Sequence, residues 1–501
     1  MNDNNMSRRN ILGALSTVMA TAAVAGGAAE AAAKPKKRPN IVFFLGEGIR
    51  FDEYSFMGNP IIQTPNIDRL AREGVVFNNA FCTNALCSPS RATIMTGAYS
   101  HSTGAVNNLN NFTDKNFLHI SDVLHAQGYD VAFLGKNHIG GELMDHYWDY
   151  YLSYEGQGKY YNPRMIEGRN GKFESERQFN GYTDDVLGDH AVKWLNERNS
   201  DKPFCLFFWF YAPHAPFYRA RRQVDRFNGV RIPKPSNFDE DLAGYPGKPK
   251  GVANAFNKIG TTLLDPVRSL EEVVKDHYCG VENNDENVGR VLKVLTQQNV
   301  LDETAILFSS DHGFFLGEHT FYDKRLMYEP SIRIPMIIRY PNRIKAGLRR
   351  DEMVLTVDMA PTIFDLVGAK TPATVEGKSM MPLAEGKPAG NWRKDWLYEY
   401  YEFPGFENVR PCRGVRTERY KYIHYFYETQ EYELYDLKTD PEEMNNLYGK
   451  PGYEAITKQL QTRLEQLRHE LKDHYEFKPT AYPEALRKYM PDTLPTSGGR
   501  S

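Results

Sequence analysis

Residues able to do chemistry recur in this chain where short apolar runs stop. The run Ile41-Val42-Phe43-Phe44-Leu45 is followed by Glu47, and Val131-Ala132-Phe133-Leu134 by Lys136 and His138. The run ending Phe210-Tyr211 leads to His214, and Ala305-Ile306-Leu307-Phe308 leads to Asp311 and His312, with Lys324 soon after. Carboxylates and imidazoles are the side chains that hold divalent cations. Histidines also move protons near neutral pH. A single charged residue at a strand end means little, but four strand ends carrying metal-ligand and proton-transfer groups mark a site. Between the first two runs lies Cys87-Ser88-Pro89-Ser90-Arg91, with Thr96-Gly97 close behind. It sets a cysteine and an arginine four residues apart.

The apolar runs are the elements that must position these groups. Short continuous runs suit strands buried on both faces of a parallel sheet. Residues 336–339 form another such run. Helical patterns lie between them at 64–74, 281–297 and 358–368; the first has Thr64 as its cap, Pro65 in the first turn and Gly74 as its stop. Strands alternating with helices predict an α/β fold with a mostly parallel central sheet flanked by helices. In such sheets ligands bind beyond the carboxyl ends of the strands, where Glu47, Lys136, His138, His214, Asp311 and His312 fall. Residues 219–265 are rich in Pro, Gly, Lys and Asp and read as long loops on that side. The composition shifts after Gly368. Strand-like pieces at 396–400, 412–417, 420–424 and 432–436 then predict a smaller antiparallel sheet, closed by an amphipathic helix near 453–473. This gives a large domain over 38–385, a C-terminal α+β subdomain over 386–489 and a Pro/Ser/Gly-rich tail over 490–501.

With 501 residues, one large domain and a smaller one are the expectation. The formal net charge of −3 gives no electrostatic basis for nucleic-acid binding. Ser7-Arg8-Arg9-Asn10-Ile11-Leu12, a soft Ala/Gly-rich stretch and a basic segment at 34–38 read as a twin-arginine export signal over 1–33. The expected destination is periplasmic or secreted, through the twin-arginine translocase, in a bacterium. None of the five cysteines has zinc-site spacing, and whether they pair stays open.

The run from Cys87 to Arg91 resembles the signature of type I sulfatases, with Met95 where leucine is usual. Gly135-Lys136-Asn137-His138 resembles the family's Gly-Lys-Trp-His, with Asn137 in place of tryptophan. Ser310-Asp311-His312-Gly313 with Leu316-Gly317-Glu318-His319 resembles the metal-ligand segment. Tyr420-Lys421-Tyr422 and Leu434-Tyr435-Asp436-Leu437 resemble the C-terminal region of bacterial polysaccharide and glycosaminoglycan sulfatases. The resemblance implies an alkaline-phosphatase-like fold and a sulfuric ester hydrolase acting on a sulfated carbohydrate. It implies that a formylglycine-generating or sulfatase-maturating enzyme oxidises Cys87 to Cα-formylglycine. It also implies that Arg91 steadies that residue, Lys136 and Lys324 clamp sulfate, His138 acts as base and His214 donates a proton to the leaving oxygen. Calcium is the implied cation, with Glu47, residue 87, Asp311 and His312 as ligands. The family usually has two aspartates after the first strand; here Glu47-Gly48 replaces them. Two alternatives remain: a phosphate or phosphonate ester hydrolase of the same superfamily, and a non-catalytic glycan-binding relative.

Overall fold

The computed structural model describes residues 38–109, 117–139, 141–242, 248–253, 255, 268–405 and 407–482. The expected export signal and the tail after 489 lie outside them. An eleven-stranded sheet forms the frame, and its middle is parallel. Strand Asn40–Gly46 lies between Thr304–Ser310 and Phe204–Trp209, and beyond the latter come Asp130–Lys136 and Tyr150–Tyr154. The flanks turn antiparallel, with Met336–Arg339 pairing against Thr304–Ser310 on one side and Arg164–Arg169 against Tyr150–Tyr154 on the other. Two apolar layers cover the sheet. One holds Phe43, Phe133, Phe207 and Trp209; the other holds Phe44, Phe208, Phe210 and Phe308. Alternate residues of the same strands feed opposite layers, as two-sided burial requires.

Some helices extend or add to those legible in the sequence. The helix expected at 281–297 runs Leu270–Gln297, because Ser269 caps its start by accepting from Glu272 N–H at 3.2 Å. Cys87–Thr96 is helical with every residue buried, although Pro89, Thr93, Ile94 and Thr96 give it little intrinsic propensity. Proline is tolerated in its first turn, and packing supplies the rest. Thr183–Glu197 also forms a helix, packed against Leu270–Gln297.

The C-terminal strands Asp395–Tyr400, Cys412–Thr417, Tyr420–Tyr425 and Glu431–Asp436 form an antiparallel sheet covered by helix Glu454–Glu470. A buried ionic cluster fastens it to the larger part. Lys421 Nζ lies 2.6 Å from Glu443 and 3.0 Å from Glu329, which also pairs with Arg416 at 3.3 Å. His101, just beyond the Cys87 helix, meets Glu399 at 2.7 Å and the Leu471 carbonyl oxygen at 3.1 Å. All five cysteines are buried and free. No helix among the described residues is long and apolar enough to cross a membrane.

At the end of its strand, Gly135 has φ +121°, and a Cβ there would stand 1.7 Å from the Trp209 carbonyl oxygen. Gly135→Ala is therefore expected to prise apart two central strands and displace Lys136. A lowered thermal midpoint and lost hydrolase activity are the outcome to look for; a variant with both unchanged would show that this close approach is not needed.

Candidate active site

Strand register brings the first two acids together. Gly46 pairs with Ser310, so Glu47 and Asp311 leave the sheet side by side. Both carboxylates are fully buried, and one guanidinium spans them. Arg91 Nε donates to Asp311 Oδ2 at 2.9 Å and Arg91 Nη2 to Glu47 Oε2 at 2.6 Å; the group also lies over the Trp209 ring. A planar fork suits this double pairing in a way an ammonium does not. Lys136 Nζ approaches the same Glu47 oxygen at 3.0 Å, and its other partner is Gln157 Oε1 at 2.9 Å.

Cys87 is the first residue of its helix, so backbone N–H groups and the positive end of the helix dipole face its side chain. Its sulfur lies 3.3 Å from Glu47 Oε1 and 3.4 Å from His312 Nε2. Burial would raise the thiol, but Lys136 and Lys324, with hydrogen bonds from His138 and His214, hold it well below its usual range. Burial and Cys87 push Glu47 up, yet Lys136, Arg91 and His214 bring it below the ordinary carboxylate range. His138 is driven down to about 4 by burial and Lys136, which favours the neutral ring. His214 is lowered by the same two causes.

The loop carrying His214 is tied from three sides. Asp184 accepts the N–H groups of Tyr211 and Ala212, both at 2.8 Å, Asn284 donates to the Ala212 carbonyl oxygen at 2.8 Å, and Tyr160 donates to the His214 carbonyl oxygen at 2.5 Å. His214 Nε2 thereby stands 3.8 Å from Glu47 Oε1. Lys324 follows the hairpin Phe315–Leu316 and Tyr322–Asp323, with Nζ 3.2 Å from Asp323 and 4.0 Å from Glu47 Oε1. Burial alone would lower Lys324, but Asp323, Cys87 and Glu47 raise it, so it stays charged.

Glu47, Cys87, Asp311 and His312 each place one ligand atom within 4.8 Å of the others. His312 donates Nδ1–H to the Gly313 carbonyl oxygen at 2.8 Å, leaving Nε2 turned inward, the tautomer that metal-binding histidines adopt. The set fits a divalent cation. Asp52 does not enlarge it, since Arg50 engages both its oxygens at 2.5 and 2.7 Å. All nine residues singled out in the sequence, from Glu47 to Lys324, thus meet around one point. Asp184, Gln157 and Asp323 were not singled out. Asp323 adjoins a chosen lysine and could have been; Asp184 and Gln157 act through loop geometry that leaves no mark on spacing. His319 lies off this point, buried against Glu240 and Asn237.

The sulfatase family model matches residues 39–369, and that for the N-sulphoglucosamine sulphohydrolase C-terminal region matches 317–470. This chain belongs to the sulfatase family. An N-acetylglucosamine-6-O-sulfatase of Bacteroides thetaiotaomicron is 34% identical to it, covering 87% of this chain and 88% of its own. A solved protein in complex with its substrate, D-glucosamine-2-N,6-O-disulfate, superposes with a TM-score of 0.81 at 33% identity, over 87% of this chain and 99% of that one. The phosphonate monoester hydrolase of Agrobacterium radiobacter, at 22% identity and TM-score 0.71 over 87% of this chain and 96% of its own, shares the fold. The protein is a sulfuric ester hydrolase.

Because Arg91 is the shared partner of two buried carboxylates, Arg91→Met takes the guanidinium from both and leaves Glu47 to Lys136 and Asp311 to backbone N–H groups. A loss of about 3–5 kcal/mol of stability is expected in chemical denaturation. Arg91→Lys should recover only part of it, since a point charge cannot span both acids. Full recovery by lysine would contradict the bridging role.

Proposed function

We propose that this sulfatase removes 6-O-sulfate from an N-acylated or N-sulfated glucosamine of a glycosaminoglycan-type substrate. The observation that carries the reaction is the Cys87 side chain at a helix N-terminus, facing Glu47 and His312 and served by two lysines and two histidines. The sugar assignment rests on the Bacteroides relative and on the glucosamine disulfate bound by the similar structure.

In this reading a maturation enzyme converts Cys87 to formylglycine, whose hydrate offers one hydroxyl for attack on sulfur and a second for expelling sulfate afterwards. Lys136 and Lys324 hold two sulfate oxygens, and their charge counts for more in a buried, low-dielectric pocket than in water. Arg91 fixes Glu47 and Asp311 and so the pocket around residue 87. His138, kept neutral, takes the proton from the second hydroxyl. His214 donates a proton to the departing sugar oxygen from a loop that cannot drift. A divalent cation, calcium by family resemblance, would be held by Glu47, Asp311, His312 and the residue-87 oxygen and would draw charge from the sulfate. Export through the twin-arginine translocase to the periplasm or beyond is consistent with Arg8-Arg9. Because that route carries folded proteins, Cys87 could be converted in the cytosol first.

Two measurements test this reading. Matured protein should release sulfate from N-acetylglucosamine-6-sulfate far faster than phosphate from the matching phosphate ester; the reverse order would favour phosphate ester chemistry. His214→Ala should lower kcat on the sugar sulfate by about 10²–10⁴-fold and on an aryl sulfate much less, because an aryloxide leaves without a proton. Equal losses on both would remove His214 from the role of acid.

A further inference from the structure

The four inward-facing donors have a chemistry of their own while position 87 is still a thiol. The separations are 3.3 Å from Cys87 Sγ to Glu47 Oε1, 3.4 Å from Cys87 Sγ to His312 Nε2, 3.8 Å from Glu47 Oε1 to His312 Nε2 and 3.6 Å from His312 Nε2 to Asp311 Oδ1. Tetrahedral zinc, with bonds of about 2.0–2.2 Å to N and O and about 2.3 Å to S, sets N and O donors roughly 3.3–3.6 Å apart and sulfur roughly 3.5–3.7 Å from them, within a few tenths of an ångström of these separations. One sulfur, one imidazole nitrogen and two carboxylates are a zinc-type set in both number and softness. The outer contacts agree. His312 is oriented through Nδ1 by the Gly313 carbonyl oxygen, Asp311 Oδ1 accepts the N–H groups of Gly48 and His312 at 3.0 and 2.9 Å, and Glu47 Oε2 is held by Arg91 and Lys136.

The same pocket suits calcium less well. Calcium takes about six to eight oxygen ligands, and its affinity follows the number of charged ones. Here two carboxylates face three fixed cations, Arg91, Lys136 and Lys324. A further acid at position 48 would be strained and crowded: Gly48 has φ +63°, and a Cβ there would stand 3.2 Å from both the His312 and the Phe314 rings.

We propose that the unconverted, thiol form of this protein binds one zinc-class divalent cation through Cys87, His312, Glu47 and Asp311, in preference to calcium. Conversion of Cys87 removes the sulfur ligand, so maturation would change which cation the pocket selects as well as creating the nucleophile. In the thiol form the bound ion occupies the sulfur itself, which would keep the immature protein silent. This rests on the reading of these four groups as a cation pocket.

The test uses full-length, chelator-stripped protein made without a maturation enzyme, with residue 87 verified as thiol by mass. Isothermal titration with zinc alone should give one site at least about a hundredfold tighter than calcium. Cobalt in its place should show a sulfur-to-metal charge-transfer band in the near ultraviolet. Cys87→Ser should abolish that band while leaving the fold intact, and His312→Asn should weaken zinc by about 10–100-fold. Calcium bound as tightly as zinc, or cobalt bound without the band, would overturn the proposal and leave the cation pocket of the matured enzyme standing. No cation bound by either the thiol or the matured form would contradict both.

Discussion

One buried guanidinium holds this site together. Arg91 lies between Glu47 and Asp311, which come from neighbouring strands, and it sits on the helix that begins with Cys87. Burying charge is costly unless every partner is present, so this triad fixes the distance between the helix and the two strand ends. With Lys136 and Lys324 added, the pocket carries two acids and three bases around Cys87. The two ammonium groups stand in a place shielded from water, where they can receive the negative charge of a sulfate monoester. The constraint that orders the pocket also sets its taste for an anion.

The rest of the fold delivers groups to that point. Parallel strands end in register, so residues 47, 136 and 311 emerge together, and the chain spends no extra loop length in gathering them. His214 arrives on a longer segment and needs Asp184, Asn284 and Tyr160 to hold it. Lys324 arrives on a short hairpin and leans on Asp323. The C-terminal sheet docks behind the Cys87 helix through His101 and Glu399 and against the Lys324 segment through Glu329, Lys421 and Glu443. A part of the chain far from the site in sequence therefore braces the Cys87 helix.

How much of this could be read from residues alone follows from the range of the interactions. The central strands were legible because two-sided burial writes an unbroken apolar run, and the site residues were legible because strand ends have a fixed relation to the sheet. The Cys87 helix was not, since Pro89 and three β-branched residues argue against it and only tertiary burial makes it helical. The antiparallel flanks of the sheet were hidden for a similar reason: an apolar run reports burial and says nothing about direction. Asp184 and Gln157 act across 27 and 21 residues of chain, through partners no local pattern announces. Gly48 was visible as a missing ligand, but the rings of His312 and Phe314 standing around it were not.

The account turns on residue 87 as the reacting group. Its most direct test is the mass of the peptide containing residue 87, taken from protein purified from its natural host. Conversion of cysteine to formylglycine replaces the thiol sulfur by an aldehyde oxygen with loss of hydrogen. The account predicts that mass, together with an aldehyde that reacts with hydrazides and is lost in Cys87→Ala. Unmodified thiol throughout, in protein that still hydrolyses sulfate esters, would contradict it.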